Sequence, residues 1–171
     1  MKYVKKSILA AVLVITMLMT LSLSAFAANI TEKEAKKIAL KEAGLKASKI
    51  CHYECEYEKG NYEVEFYSKK KNNEYEIKVD AATGVIKEYS IEYAHKKNTS
   101  QEKTGKKAAL KKAAKASGKK LSVVKAGTCK YKKDSGEWIY EVKFKNGNYK
   151  YEYEILAPTG KIVEMERKYL K

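Results

Sequence analysis

The chain repeats itself. EAKKIALKEAG (34–44) aligns with TGKKAALKKAA (104–114), CEYE (55–58) with CKYK (129–132), YEVEF (62–66) with YEVKF (140–144), and YEIKVDAATGVIKEYSIEY (75–93) with YEYEILAPTGKIVEMERKY (151–169). The four matches keep one order, at offsets of 70, 74, 78 and 76. Spacing that drifts by a few residues, and only between segments, is what loop insertions in two copies of one fold unit produce. One copy of about 65 residues has a limited core, so the two are expected to pack on each other or on a partner.

Each copy opens with a period of 3.6 and continues with a period of 2. Ala35, Ile38, Ala39 and Ala43 form one apolar stripe with lysines opposite, which predicts a helix. Thr31 and Glu34 fit a capping box, and Gly44 is placed to stop it. A second helix is expected over 101–116, with Ala109, Leu110, Ala113 and Ala116 inward and Gly118 as its stop. YECEYE (53–58), NYEVEFYS (61–68) and EYEIKVD (74–80) then alternate apolar or aromatic residues with charged ones, as antiparallel strands with one buried face do. Turn residues separate them: EKGN (58–61), KKNN (70–73) and KNGN (145–148), with Gly84 and Gly160 before the last strand of each copy. The expected fold is α+β: two repeats, each one helix packed on a roughly four-stranded antiparallel sheet.

The amino terminus reads as an export signal. MKYVKK is basic, SILAAVLVITMLMTLSLS is continuously apolar, and Ala25-Phe26-Ala27 supplies the small-x-small cleavage pattern. An uncleaved anchor is the other reading, since about 18 apolar residues can just span a bilayer. The organisation expected is therefore a signal peptide at 1–27, a first repeat at 28–94, a linker at 95–100 within the polar stretch 94–104, and a second repeat at 101–171. Removing residues 1–27 takes Lys2, Lys5 and Lys6 and no acid, so the formal charge falls from +15 to +12. On an exported protein this charge favours anionic wall polymer, acidic lipid surfaces or an acidic partner, and no nucleic acid is expected.

Chemistry-bearing residues are few. His52 and His95 are the only histidines. Cys51, Cys55 and Cys129 are an odd set. On a straight strand Cys51 and Cys55 face one side, His52 the other, with the two thiols about 13 Å apart, too far for a disulfide. A Cys55–Cys129 bridge would join matching strands of the two repeats; reduced or intermolecular thiols are the alternative. No catalytic group, cofactor or metal ligand set is assigned. Glu63, Glu65, Glu76 and Lys78 are expected on the solvated sheet face, where unlike charges pair across strands, and Asp80 at the turn before Gly84 as a cap. These five are the candidate partner contacts. Lys106, Lys107, Lys111, Lys112 and Lys115, on the more basic second helix, are the candidate contacts to an anionic surface.

ITEKEAKKIALKEAG, YEVEF and YEIKVDAATGVIKE together resemble the PepSY domain, with its helix, its Tyr-Glu-Val strand and its Asp-Ala-x-Thr-Gly hairpin. The second copy departs from the first: Gly105 stands for Ala35, Leu156 for Asp80 and Pro158 for Ala82. The resemblance implies a cystatin-like α+β unit and a role in restraining peptidases around the cell. Two functions follow as expectations: a secreted, non-catalytic module that binds a secreted or membrane-associated peptidase, or a basic module that adheres to anionic wall polymer or membrane.

Overall fold

The computed structural model describes residues 29–170; the segment read as a signal peptide, 1–27, lies outside them. Helix α1 spans Glu32–Glu42 and begins with the expected capping box, the Thr31 hydroxyl accepting from the Glu34 amide while the Glu34 carboxylate accepts from the Thr31 amide at 2.8 Å. Ala35, Ala39 and Leu40 are its buried residues. A 3-10 turn at Ala47–Lys49 leads into four strands, β1 (Ile50–Glu58), β2 (Asn61–Ser68), β3 (Glu74–Asp80) and β4 (Ile86–Glu92).

The second copy runs α2 (Lys106–Ser117), α3 (Leu121–Lys125), β5 (Thr128–Asp134), β6 (Glu137–Asn146), β7 (Tyr149–Leu156) and β8 (Ile162–Tyr169). Helix α2 starts five residues later than its sequence pattern predicts. The Thr104 amide donates to the Ala157 carbonyl at 2.8 Å, which holds residue 104 against the turn before β8, and Gly105 at φ +93° turns the chain into the helix. The short α3 has no counterpart in the first copy's α-helices and was not read from the sequence; it buries Val124 fully.

All eight strands form one antiparallel sheet in the order β1-β2-β3-β4-β8-β7-β6-β5. The joint is β4 against β8, the last strand of each copy. Ser90 and Glu166 occupy equivalent places in the two copies and pair directly with each other, with Tyr89 opposite Arg167 and Ile91 opposite Met165. The copies are thus related by a local twofold axis through the Ser90–Glu166 pair, normal to the sheet. Both helical layers therefore lie on one face.

That face holds the core. In the first copy Val64, Phe66, Ile77 and Val79 are completely buried under α1, and in the second Val142 and Ile155 are buried under α2 and α3, with Val124 of α3 packed into the same cluster. Burying each such side chain is worth about 1.5–3 kcal/mol. The copies repeat in detail: Phe66 stacks on Tyr75 at 5.1 Å and Phe144 on Tyr151 at 4.9 Å. Met165 packs against both clusters, and the Arg167 guanidinium, from β8, bonds Glu42 of α1 at 2.8 Å while lying against the rings of Tyr89 and Tyr149.

At the start of β5 the chain crosses β6 so closely that a Cβ on Gly127 would stand 2.0 Å from the Lys143 carbonyl oxygen and 2.7 Å from Phe144 Cβ. Gly127→Ala is expected to cost at least about 2 kcal/mol through backbone displacement, read as a lower urea midpoint; an unchanged midpoint would show that this crossing is loose.

Candidate functional site

The other face of the sheet carries no helix, because both helical layers share the opposite side; at its second-repeat end Ile139, Leu156 and Val163 are buried together, and His95 and Asn98 of the linker bond Glu137. Its chemistry follows from the Tyr-Glu alternation. With most tyrosines and aliphatics turned to the helices, the intervening residues point outward. By strand register this face carries every one of the 21 acids except Glu32, Glu34 and Glu42 of α1 and Glu102 of the linker. The lysines of α2 lie on the helical side, with Lys106, Lys107, Lys111, Lys112 and Lys115 all exposed. The net charge of +15 thus conceals a two-sided molecule.

The helix-free face is not evenly neutralised. Glu54, Glu65 and Glu76 lie abreast on β1, β2 and β3, three like charges in one row. Glu74, Glu92, Glu164 and Glu154 form a second row across β3, β4, β8 and β7. Like charges directly opposite are unfavourable, and at Glu65 and Glu164 they add to the effect of burial. Partial burial, then Glu76 and Glu54, push Glu65 up. Burial, then Glu154 and Glu92, push Glu164 up to about 7.

Lysines compensate elsewhere. Lys78 pairs with Glu63, and Lys168 bonds Glu88 across the joint at 3.1 Å. On the second copy Lys132 lies 2.7 Å from Glu141 and 3.2 Å from Glu154, and Lys143 lies 2.6 Å from Glu152. Against the burial that would raise it, these lysines hold Glu141 below the usual carboxylate range. Oxygens of Glu141, Glu152 and Glu154 converge within 4.8 Å, close enough for one cation. Two ammonium groups already stand among them, so a metal would have to displace both.

The match that decides the family covers both copies. The model of the PepSY family, the peptidase propeptide and YPEB domain, matches residues 29–89 and again 105–166. The chain belongs to the PepSY family. PepSY domains are propeptide-like, non-catalytic modules. No curated protein matches the chain. Two crystal structures are similar: a protein described as a lipoprotein from Clostridium difficile 630 (17% identity, 85% of this chain and 97% of that one, TM-score 0.31) and a DUF2874 family protein from Bacteroides uniformis ATCC 8492 (12% identity, 81% and 90%, TM-score 0.31). Among the described residues no helix is long and apolar enough to cross a membrane.

Within the PepSY repeats the structure brings Glu63, Glu65, Glu76 and Lys78 together on adjacent strands, Glu63 opposite Lys78 and Glu65 opposite Glu76. Asp80 stands apart from them in function: its carboxylate accepts from the Thr83 amide at 2.9 Å and hydroxyl at 2.7 Å, and pairs with Lys87 at 3.3 Å. The Thr83 hydroxyl, above all, holds Asp80 low. In the second PepSY repeat Leu156 takes that place and packs with Ile139 and Val163, an apolar substitute for a polar cap.

The cysteines differ from the straight-strand reading. The β1–β2 register slips between Cys51 and Glu54, where His52 takes φ +48°, so Cys51 pairs with outward-facing Tyr67 while Cys55 pairs with inward-facing Val64. The bulge turns the two thiols to opposite faces. Cys55 and Cys129 lie on strands at the two edges of the sheet, seven strand spacings or about 34 Å apart, which excludes a bridge within one chain; all three cysteines are free. Burial pushes the thiols of Cys55 and Cys129 up, which makes them poor nucleophiles. His52 stands edge-on to Tyr67 at 5.8 Å. His95 is a clamp: its Nδ1 faces the Tyr93 carbonyl oxygen at 3.0 Å and its Nε2 the Glu137 carboxylate at 2.9 Å, while the Asn98 amide donates to the same carboxylate. No sequence signal announced this long-range pairing.

A carboxyl whose folded pKa lies above its unfolded value binds more protons in the folded state, so it erodes stability as pH rises between the two. For Glu164 that window runs from the ordinary 4.5 to about 7. Glu164→Gln is expected to raise the melting temperature near pH 7.5 and to change it little near pH 4.5. An equal shift at both pH values would contradict the carboxylate row.

Proposed function

We propose that this tandem PepSY protein is an exported, non-catalytic binding module that restrains a peptidase at the cell surface, engaging it through the helix-free sheet face. The observation that carries the reading is the unneutralised carboxylate row Glu54, Glu65 and Glu76 on the helix-free face of the first repeat. A fold optimised only for stability gains nothing from like charges held abreast; a basic partner surface would relieve them. The propeptide character of the family supplies the class of partner. Glu63, Glu65, Glu76 and Lys78 are the contacts, with Asp80 holding the adjoining turn.

A second reading is favoured by α2. Its first turn contains no acid but carries Lys106 and Lys107, which the helix dipole opposes. Exposed Lys111, Lys112 and Lys115 extend the same basic strip. Lysines that do not serve the helix suit an anionic wall polymer or lipid surface, which would hold the protein at the envelope while the acidic face stays outward.

Titration of peptidases from the host envelope with the protein is expected to give inhibition at near-stoichiometric ratios. Glu65→Lys with Glu76→Lys should weaken it at least tenfold. Absence of inhibition of every envelope peptidase would overturn the first reading. Glutamine at the five α2 lysines should abolish retention on anionic polymer; in the parent, retention should fall steeply between about 0.15 M and about 0.5 M salt as screening shortens.

A further inference from the structure

The two edges of the sheet are complementary to each other. Among the described residues, no backbone group of β1 or β5 bonds a segment outside its single neighbouring strand. Both strands thus present an unpaired row of amides and carbonyls. They differ in sign. The outward residues of β1 are Glu54, Glu56 and Glu58, all exposed, whereas β5 presents Lys130 and Lys132 on the same face, with Lys133 exposed on the other.

We propose that the protein associates head to tail with further copies of itself, β5 of one copy adding to β1 of the next. This inference does not need the peptidase reading: it rests on the unpaired backbone of the two edge strands and shares with that reading only the Glu54 end of the carboxylate row. Three observations converge on a second copy as the occupant. First, seven antiparallel pairings separate β1 from β5, so the two run in opposite directions. A copy displaced along the sheet therefore presents its β5 antiparallel to β1 with its helices on the same side, and the alternation continues without a break. Second, the joint inside the chain already pairs the last strands of the two repeats about a local twofold; β1 against β5 would pair the first strands in the same way.

Third, the charges and faces match. Keeping outward residues opposite outward residues, Glu54 falls opposite Lys132 and Glu56 opposite Lys130. The carboxylate row Glu54, Glu65 and Glu76 then ends on a lysine instead of running unpaired to the edge. On the helical side Cys55 meets Tyr131, and exposed Tyr57 meets Cys129. Cys55 and Cys129 become diagonal neighbours, about 7–8 Å apart. The contact is heterologous, so it forms open chains and not closed dimers.

Two proteins test this, each with Cys51→Ser and one remaining thiol: Cys129→Ser leaves Cys55, and Cys55→Ser leaves Cys129. Treated with a short bismaleimide, the mixture is expected to give a covalent dimer and each protein alone none. Cys51→Ser alone, which keeps both Cys55 and Cys129, should give a ladder of three and more copies. Cross-linking of either single-thiol protein with itself would overturn the proposal, as would absence of a dimer in the mixture. Sedimentation guards against an unreactive thiol: weight-average mass should rise with concentration past twice the monomer, Glu56→Lys should return it to the monomer, and Glu56→Lys with Lys130→Glu should restore it. Monomer at every concentration would overturn the proposal equally.

Discussion

The pairing of β4 with β8 is the constraint on which the rest of the molecule depends. Because equivalent residues, Ser90 and Glu166, meet across it, it joins two small units into one sheet and fixes both helical layers on one side. A single repeat of this size has a marginal core. Joined, the repeats share Met165 between their clusters and exchange the Arg167–Glu42 ion pair. Each repeat loses one exposed edge in the process.

Segregation of charge follows from the same geometry. A sheet covered on one side sorts its alternating residues into an apolar layer and a solvent layer, and here the solvent layer holds most of the acids of the chain. Strand lysines such as Lys78, Lys132, Lys143 and Lys168 offset only part of that charge, while the exposed lysines of α2 lie on the other side. A protein of high positive charge therefore has an acidic face and a basic one. The second repeat neutralises its share of the acidic face with Lys132 and Lys143; the first leaves Glu54, Glu65 and Glu76 abreast. This asymmetry is why the first repeat is the better candidate for a protein contact.

Much of this was legible in the sequence because the signals are local. The change from period 3.6 to period 2, the Thr31–Glu34 box and the glycines at 84 and 160 each report on a few neighbouring residues, and all correspond to observed elements. The outward grouping of Glu63, Glu65, Glu76 and Lys78 follows from alternation alone. What alternation cannot supply is the order of strands. Nothing near Ser90 signals that it faces Glu166, and so the single continuous sheet, the distance between Cys55 and Cys129 and the complementary edges emerge only from the fold. The bulge at His52 escaped for a different reason: a slipped register has no composition of its own. The late start of α2 reflects a tertiary hydrogen bond, Thr104 to Ala157, that overrides a helical pattern.

The claim that one joint makes the repeats a single cooperative body can be tested at a distance. Trp138 is the only tryptophan and lies on β6 of the second repeat, while Ile77 is fully buried in the first. Ile77→Ala removes about 2–5 kcal/mol. If the sheet unfolds as one, tryptophan fluorescence will report this loss in full, with a urea midpoint matching that of far-ultraviolet circular dichroism. A Trp138 transition left at its original midpoint, while the first repeat melts earlier, would contradict the account.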